Sequence, residues 1–184
     1  VASLGPQLRG APDEKTAAVL EAVTLRLSDG NAKVNIVALE ALSSILPAVG
    51  DHAAPPALST LVPALSANAA STNDKIRGKA SAALDTLIAS VSGAMLVQNM
   101  SHVVAHGNPR SKALMIGKLE KMVRDGYAEQ PRLVGKHALH AALSCLNDSK
   151  VDIRAANTRL VRTLRAAMGP QLLDVAGLSP DVSR

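Results

Sequence analysis

The chain has 184 residues, 47% of them apolar and 19% charged, which suits one domain or a short run of repeats and excludes wholesale disorder. Lys and Arg number 20 against 15 Asp and Glu, giving a net charge of +5 that favours an acidic partner, with nucleic acid, acidic protein and membrane surface all open at this point. No apolar run reaches the roughly 18 to 20 residues of a membrane span, residues 1–10 carry no signal pattern, and a single Cys145 excludes an internal disulfide.

These features predict a cytosolic chain without membrane attachment, and a start at Val1 rather than Met predicts a segment of something longer. Phe and Trp are absent and Tyr127 is the one aromatic. The core is therefore expected to be Leu, Val, Ile, Met and many Ala, small enough to let helices approach closely.

Sustained apolar–polar alternation is missing, so the chain reads as all-α. A first helix is predicted at about 13 to 28, and a second at about 32 to 46. In the second, Val34, Val37, Ala38, Ala41, Leu42 and Ile45 fall at helical spacing and are expected to form one buried stripe, with Lys33, Glu40 and Ser44 facing away. A third helix, about 55 to 67, opens on Pro55 and Pro56, and Pro63 inside it predicts a bend. Helices follow at about 75 to 91, 94 to 106, 109 to 125 and 131 to 146, with Pro109 and Pro131 at first positions. The last spans about 149 to 168, with Ile153, Leu160, Val161, Leu164 and Met168 on its apolar face and Arg154, Arg159, Arg162 and Arg165 solvated. Pro47 and Pro170 also mark helix boundaries.

The punctuation between these helices repeats. Asp29-Gly30-Asn31-Ala32-Lys33, Asn73-Asp74-Lys75-Ile76-Arg77, His106-Gly107-Asn108-Pro109-Arg110 and Asn147-Asp148-Ser149-Lys150 through Arg154 each place Asp or Asn near a helix N-cap and a cation just after it. Successive turns lie roughly 33 to 45 residues apart, the period of HEAT repeats, with one helix pair per period. A lone pair cannot cover its own apolar stripe, so the pairs must stack, and stacking predicts that all four turns share one edge.

Chemistry of other kinds finds little support. His102 and His106, or His137 and His140, have helical spacings that suit chelation, yet neither pair has a convincing third ligand nearby, so no metal is expected. Cys145, between Ser144 and Leu146, reads as a small buried hydrophobe, and Met95, Met100, Met115, Met122 and Met168 read as core. Without a glycine-rich phosphate loop, nucleophile elbow or paired carboxylates, no catalysis and no cofactor are expected. The Arg159, Arg162 and Arg165 series reads as a solvated face rather than a nucleic-acid site, because no aromatic platforms accompany it.

The run from Asp29 to Leu42, with its Asp-x-Asn-x-Lys-Val opening and Ala-Leu-Glu helix, resembles a TOG-domain repeat, and the His106–Arg110 turn is similar to another. Over residues 17 to 178 the order of turns and helices looks most like the C-terminal TOG domain of the TOG array regulators of axonemal microtubules, or crescerins. The resemblance implies a TOG-like paddle of stacked antiparallel helix pairs, an α-solenoid over residues 1–184. It also implies a first-turn tryptophan and about six pairs; this chain has no Trp and yields about four, so its first repeat is expected to be missing or degenerate. The implied partners are tubulin or microtubules, or other axonemal proteins, met by a monomeric unit of a longer chain in the cytoplasm and the axoneme of the cilium or flagellum. Carried over turn by turn, the implied contacts are Asn31, Lys33, Lys75, Arg77, Asn108, Arg110, Lys150 and Arg154. The alternative is a generic HEAT adaptor holding a peptide or helical partner in its groove.

Overall fold

In a computed structural model of the chain, residues 4–49, 54–170 and 172 are described; the predicted domain's two ends lie outside them. The described residues form helices α1 (Leu4–Leu8), α2 (Asp13–Arg26), α3 (Ala32–Ile45), α4 (Pro55–Ala69), α5 (Asp74–Ser90), α6 (Gly93–His106), α7 (Pro109–Gly126), α8 (Pro131–Ser144) and α9 (Val151–Met168). No strand occurs among them. The eight expected helices are all present, with ends displaced by at most two residues. The ninth, α1, is too short to show a helical period. A 3-10 turn, Leu46–Ala48, follows α3 where Pro47 ends the α-helical ladder.

Packing follows one rule. Helix α2 packs on α4, α4 on α6 and α6 on α8, while α1 packs on α3, α3 on α5, α5 on α7 and α7 on α9. The two sets make two layers, and the pairs α2–α3, α4–α5, α6–α7 and α8–α9 each bridge them. Helix α1 joins the second layer without a first-layer mate among the described residues. One apolar core runs the length of the stack from Leu8 to Met168, filled by Leu, Val, Ile, Ala and Met. Tyr127 is half-buried against it. Met100, Met115, Met122 and Met168 lie in that core as expected, whereas Met95 is 38% exposed. Cys145 is fully buried.

The stripe of α3 is rotated from the expected one. Val34 and Val37 are 37% and 48% exposed, while Asn35 and Leu39 are buried with Ala38, Ala41, Leu42 and Ile45. The cause is polar: Asn35 turns inward, where its Nδ2 donates to the Leu27 carbonyl at 2.6 Å and to Asn68 Oδ1 at 2.8 Å. In α4 the helix continues through the exposed Pro63 over its full 15 residues. In α9 the expected apolar face is found, with Val161 half-buried and Ala156 and Asn157 buried beside it.

The second layer carries a ladder of ion pairs between neighbouring helices. Glu40 on α3 meets Lys79 on α5 at 3.1 Å, Asp85 on α5 meets Lys118 on α7 at 2.6 Å, and Glu120 on α7 meets Arg159 on α9 at 3.8 Å. Arg159 is thus not simply solvated as expected; Arg162 and Arg165 are exposed.

Candidate functional site

The four intra-pair turns, residues 27–31, 70–73, 107–108 and 145–150, lie on one rim, and hydrogen bonds between successive turns show it. Leu27 ends α2 with a carbonyl that no helical N–H can reach. Asn35 from α3 and Asn68 from the end of α4 both donate to it, at 2.6 Å and 2.8 Å, tying the first turn to the second. Ser66, near the end of α4, lies 3.2 Å from Ser111 at the start of α7, tying the second to the third. Lys112 reaches Asp148 at 3.6 Å, and the Cys145 thiol faces the Val104 carbonyl at 3.9 Å, tying the third to the fourth. At the far end another buried asparagine crosses between paired helices, as Asn157 of α9 donates to the Ala142 carbonyl of α8 at 2.9 Å.

Within each turn the caps are local. Asn31, Asn73 and Asn108 are N-caps whose side chains accept the amides of Lys33 at 2.9 Å, Lys75 at 3.0 Å and Arg110 at 2.9 Å. The fourth turn departs from the expected pattern: Lys150 stands at the cap of α9 and its side chain makes no capping bond. Asp148 instead accepts the Lys150 amide at 3.1 Å, as Asp29 accepts that of Asn31 at 2.8 Å and Ser71 that of Asn73 at 3.1 Å. An acceptor two residues before the cap residue, an Asx- or Ser-turn, is therefore part of three of the four turns.

The eight sequence-selected residues separate by what they touch. Asn31 and Asn108 are occupied as caps. Arg77 donates to the Ser71 carbonyl at 2.8 Å and pairs with Asp74; Arg154 donates to the carbonyls of Asp148 and Ser149, both at 2.8 Å. These two guanidinium groups staple their own turns. The side chains of Lys33, Lys75, Arg110 and Lys150 are exposed, one per turn, and form no ion pair or hydrogen bond among the described residues.

The rim also carries apolar groups that the sequence reading passed over. Leu25 and Val151 are each 71% exposed, and Leu146 47%, placing Leu25 beside the first turn and the other two at the fourth. Each lies close to a helix end, where helical periodicity stops reporting burial, so no sequence signal singled them out.

Two clefts open on the first layer. One, between α2 and α4, is lined by Asp13, Glu14 and Glu21. The other, between α4, α6 and α8, gathers His102, His106, His137 and His140. Among the described residues no group of three or more His, Cys, Asp or Glu is placed to hold a metal ion, and no helix is long and apolar enough to cross a membrane.

No family model matches the chain. It is 30% identical over 172 residues to the human TOG array regulator of axonemal microtubules protein 1, a match covering 88% of this chain and 10% of that protein. The chain thus spans about a tenth of the length of the curated relatives it matches. Its fold superposes with TM-score 0.68 on a TOG structure whose tubulin-binding specificity is reported to promote microtubule dynamics and mitotic spindle formation, at 17% identity, covering 88% of this chain and 65% of that one. A structure of crescerin, which uses a TOG domain array to regulate microtubules in the primary cilium, gives TM-score 0.68 at 16% identity, covering 94% and 71%. Two helical layers, four capped turns on one rim and these likenesses agree: the chain has the fold of the TOG-domain HEAT-repeat stacks and is similar, over 88% of its length, to a stretch of the TOG array regulators of axonemal microtubules.

Proposed function

We propose that the chain is a binding module, not an enzyme, that engages tubulin through its intra-repeat turns and serves the regulation of ciliary or axonemal microtubules in the cytoplasm. The observation that carries this reading is the row of cations with no partner among the described residues, Lys33, Lys75, Arg110 and Lys150, one at each turn of a single rim. Aligned like charges on a rigid edge add their attraction for an acidic surface, and because the scaffold already holds them in place, little entropy is lost on docking. Asn31, Asn108, Arg77 and Arg154 act through the turns they hold, and Leu25, Leu146 and Val151 offer apolar contact at the two ends of the rim. The relatives named above, TOG proteins of microtubules, support tubulin as the acidic partner.

The test is combined charge reversal, Lys33→Glu with Lys75→Glu and Arg110→Glu. Co-sedimentation or size-exclusion comigration with tubulin is expected to weaken by at least about tenfold, with helicity by circular dichroism unchanged. Tubulin binding that survives these three changes would reject the rim. Binding lost instead on substitution of Asp13, Glu14 and Glu21 in the α2–α4 cleft would favour the generic HEAT adaptor.

A further inference from the structure

Four of the five histidines come together on the first-layer face, from His137 in the middle of α8 to His106 beside the third turn: His102 and His106 from α6, His137 and His140 from α8. They line a cleft of about 430 Å³, a size that suits a few residues of peptide. The His102 and His106 rings lie 4.9 Å apart, centroid to centroid. Gln98 and Asn99 of α6 add amides at the same cleft, and α4 contributes the hydroxyl of Ser59. No carboxylate lines it, whereas the neighbouring cleft between α2 and α4 is lined by three.

A second observation points to an occupant. Ser101 lines the cleft and is 3% exposed, and its buried Oγ has no hydrogen-bond partner. A buried hydroxyl left unpaired is unfavourable, so a ligand that accepts its proton recovers that loss. The hydroxyl, amide N–H and imidazole N–H groups of this lining can all donate to a carboxylate, and each imidazole, on taking up a proton, becomes a cation with two donors.

We propose that this cleft binds carboxylate side chains of an acidic peptide segment, and binds them more tightly as its histidines become protonated. The charged groups around it are few. Beyond the four imidazoles its helices carry Lys136, next to His137, and Arg132; α4 contains no ionisable residue, the carboxylates of α2, which packs on α4, line the neighbouring cleft, and α7 and α9, which also pack on α6 and α8, contribute nothing to the lining. The permanent charge on the three helices that line the cleft is therefore positive, and the part that varies with pH is histidine. Glutamate side chains stay ionised down to about pH 4.3, so between pH 8 and pH 6 the charge of the peptide is constant. The inference does not depend on tubulin as the partner of the rim.

The test uses an N-acetylated, amidated hexaglutamate peptide titrated into the whole chain at constant ionic strength, with the histidine ring resonances followed by NMR. Affinity is expected to rise at least about tenfold from pH 8 to pH 6, with shifts at all four rings. Replacing the four histidines by Gln should remove that pH dependence while helicity is kept, and Ser101→Ala alone should weaken binding at pH 6 several-fold. The rim variant Lys33→Glu/Lys75→Glu/Arg110→Glu should keep the pH-dependent component, which separates this site from the rim. An unchanged pH profile in the four-histidine variant, no affinity at pH 6, or binding that appears only with added Zn²⁺ and vanishes with EDTA would each overturn the proposal.

Discussion

Asn35 shows how much one polar side chain arranges. It is 5% exposed, and with Asn68 it satisfies the last carbonyl of α2 while holding the first turn against the second. Asn35→Ala leaves that network short of donors, and a loss of about 1 to 3 kcal/mol is expected from the shift of the urea midpoint at constant m. Gly107 has a different constraint. Its N–H donates to the Val103 carbonyl at 2.8 Å, and a Cβ there would stand 2.2 Å from the same oxygen. Gly107→Ala must therefore move backbone in the third turn, and a cost of about 1 to 3 kcal/mol is expected in thermal unfolding. His137 is held below the ordinary imidazole value of 6.5 by its partial burial, then by the nearby Lys136 and His140. The folded chain thus favours neutral His137, so its contribution to stability is complete above pH 6.5 and declines as pH falls below it towards the lower folded value. Titration of its ring resonance by NMR checks the direction.

Helix α4 keeps its 15 residues although Pro63 supplies no N–H in its middle. The exposed Pro63 side chain makes the substitution clean, and Pro63→Ala is expected to stabilise the chain by up to about 3 kcal/mol, read as a raised Tm. The ion-pair ladder of α3, α5, α7 and α9 reads in the opposite direction. Glu40 and Lys79 are 39% and 43% exposed at their side chains, and Asp85 is 54% exposed, so solvent screens each pair. Its regular placement, acid on one helix and base on the next, sets the order in which second-layer helices lie together more than it sets how firmly they hold.

Across the whole molecule the core is one cluster from Leu8 to Met168 rather than four separate ones. Helix pairs that share an uninterrupted core and are linked by buried bonds at each turn should unfold together, in spite of the repeat architecture. The far-ultraviolet signal of all helices and the fluorescence of Tyr127, the one aromatic, are therefore expected to report coincident denaturation midpoints; a separate, earlier Tyr127 transition would show that the α7–α8 end melts alone.

Helix existence, the all-α class, the four pairs and the repeated turns were legible in the chain, because caps, prolines and a helical apolar period are local signals within a few residues of one another. What each rim residue touches was not. That Arg77 and Arg154 staple their own turns while Lys33, Lys75, Arg110 and Lys150 find no partner among the described residues depends on rotamers and neighbouring carbonyls. The inward turn of Asn35, which leaves Val34 and Val37 outside, and the meeting of two histidine pairs 31 or more residues apart depend on which helices become neighbours. Periodicity gives each helix a face, but only the stacking of one pair on the next decides what that face meets.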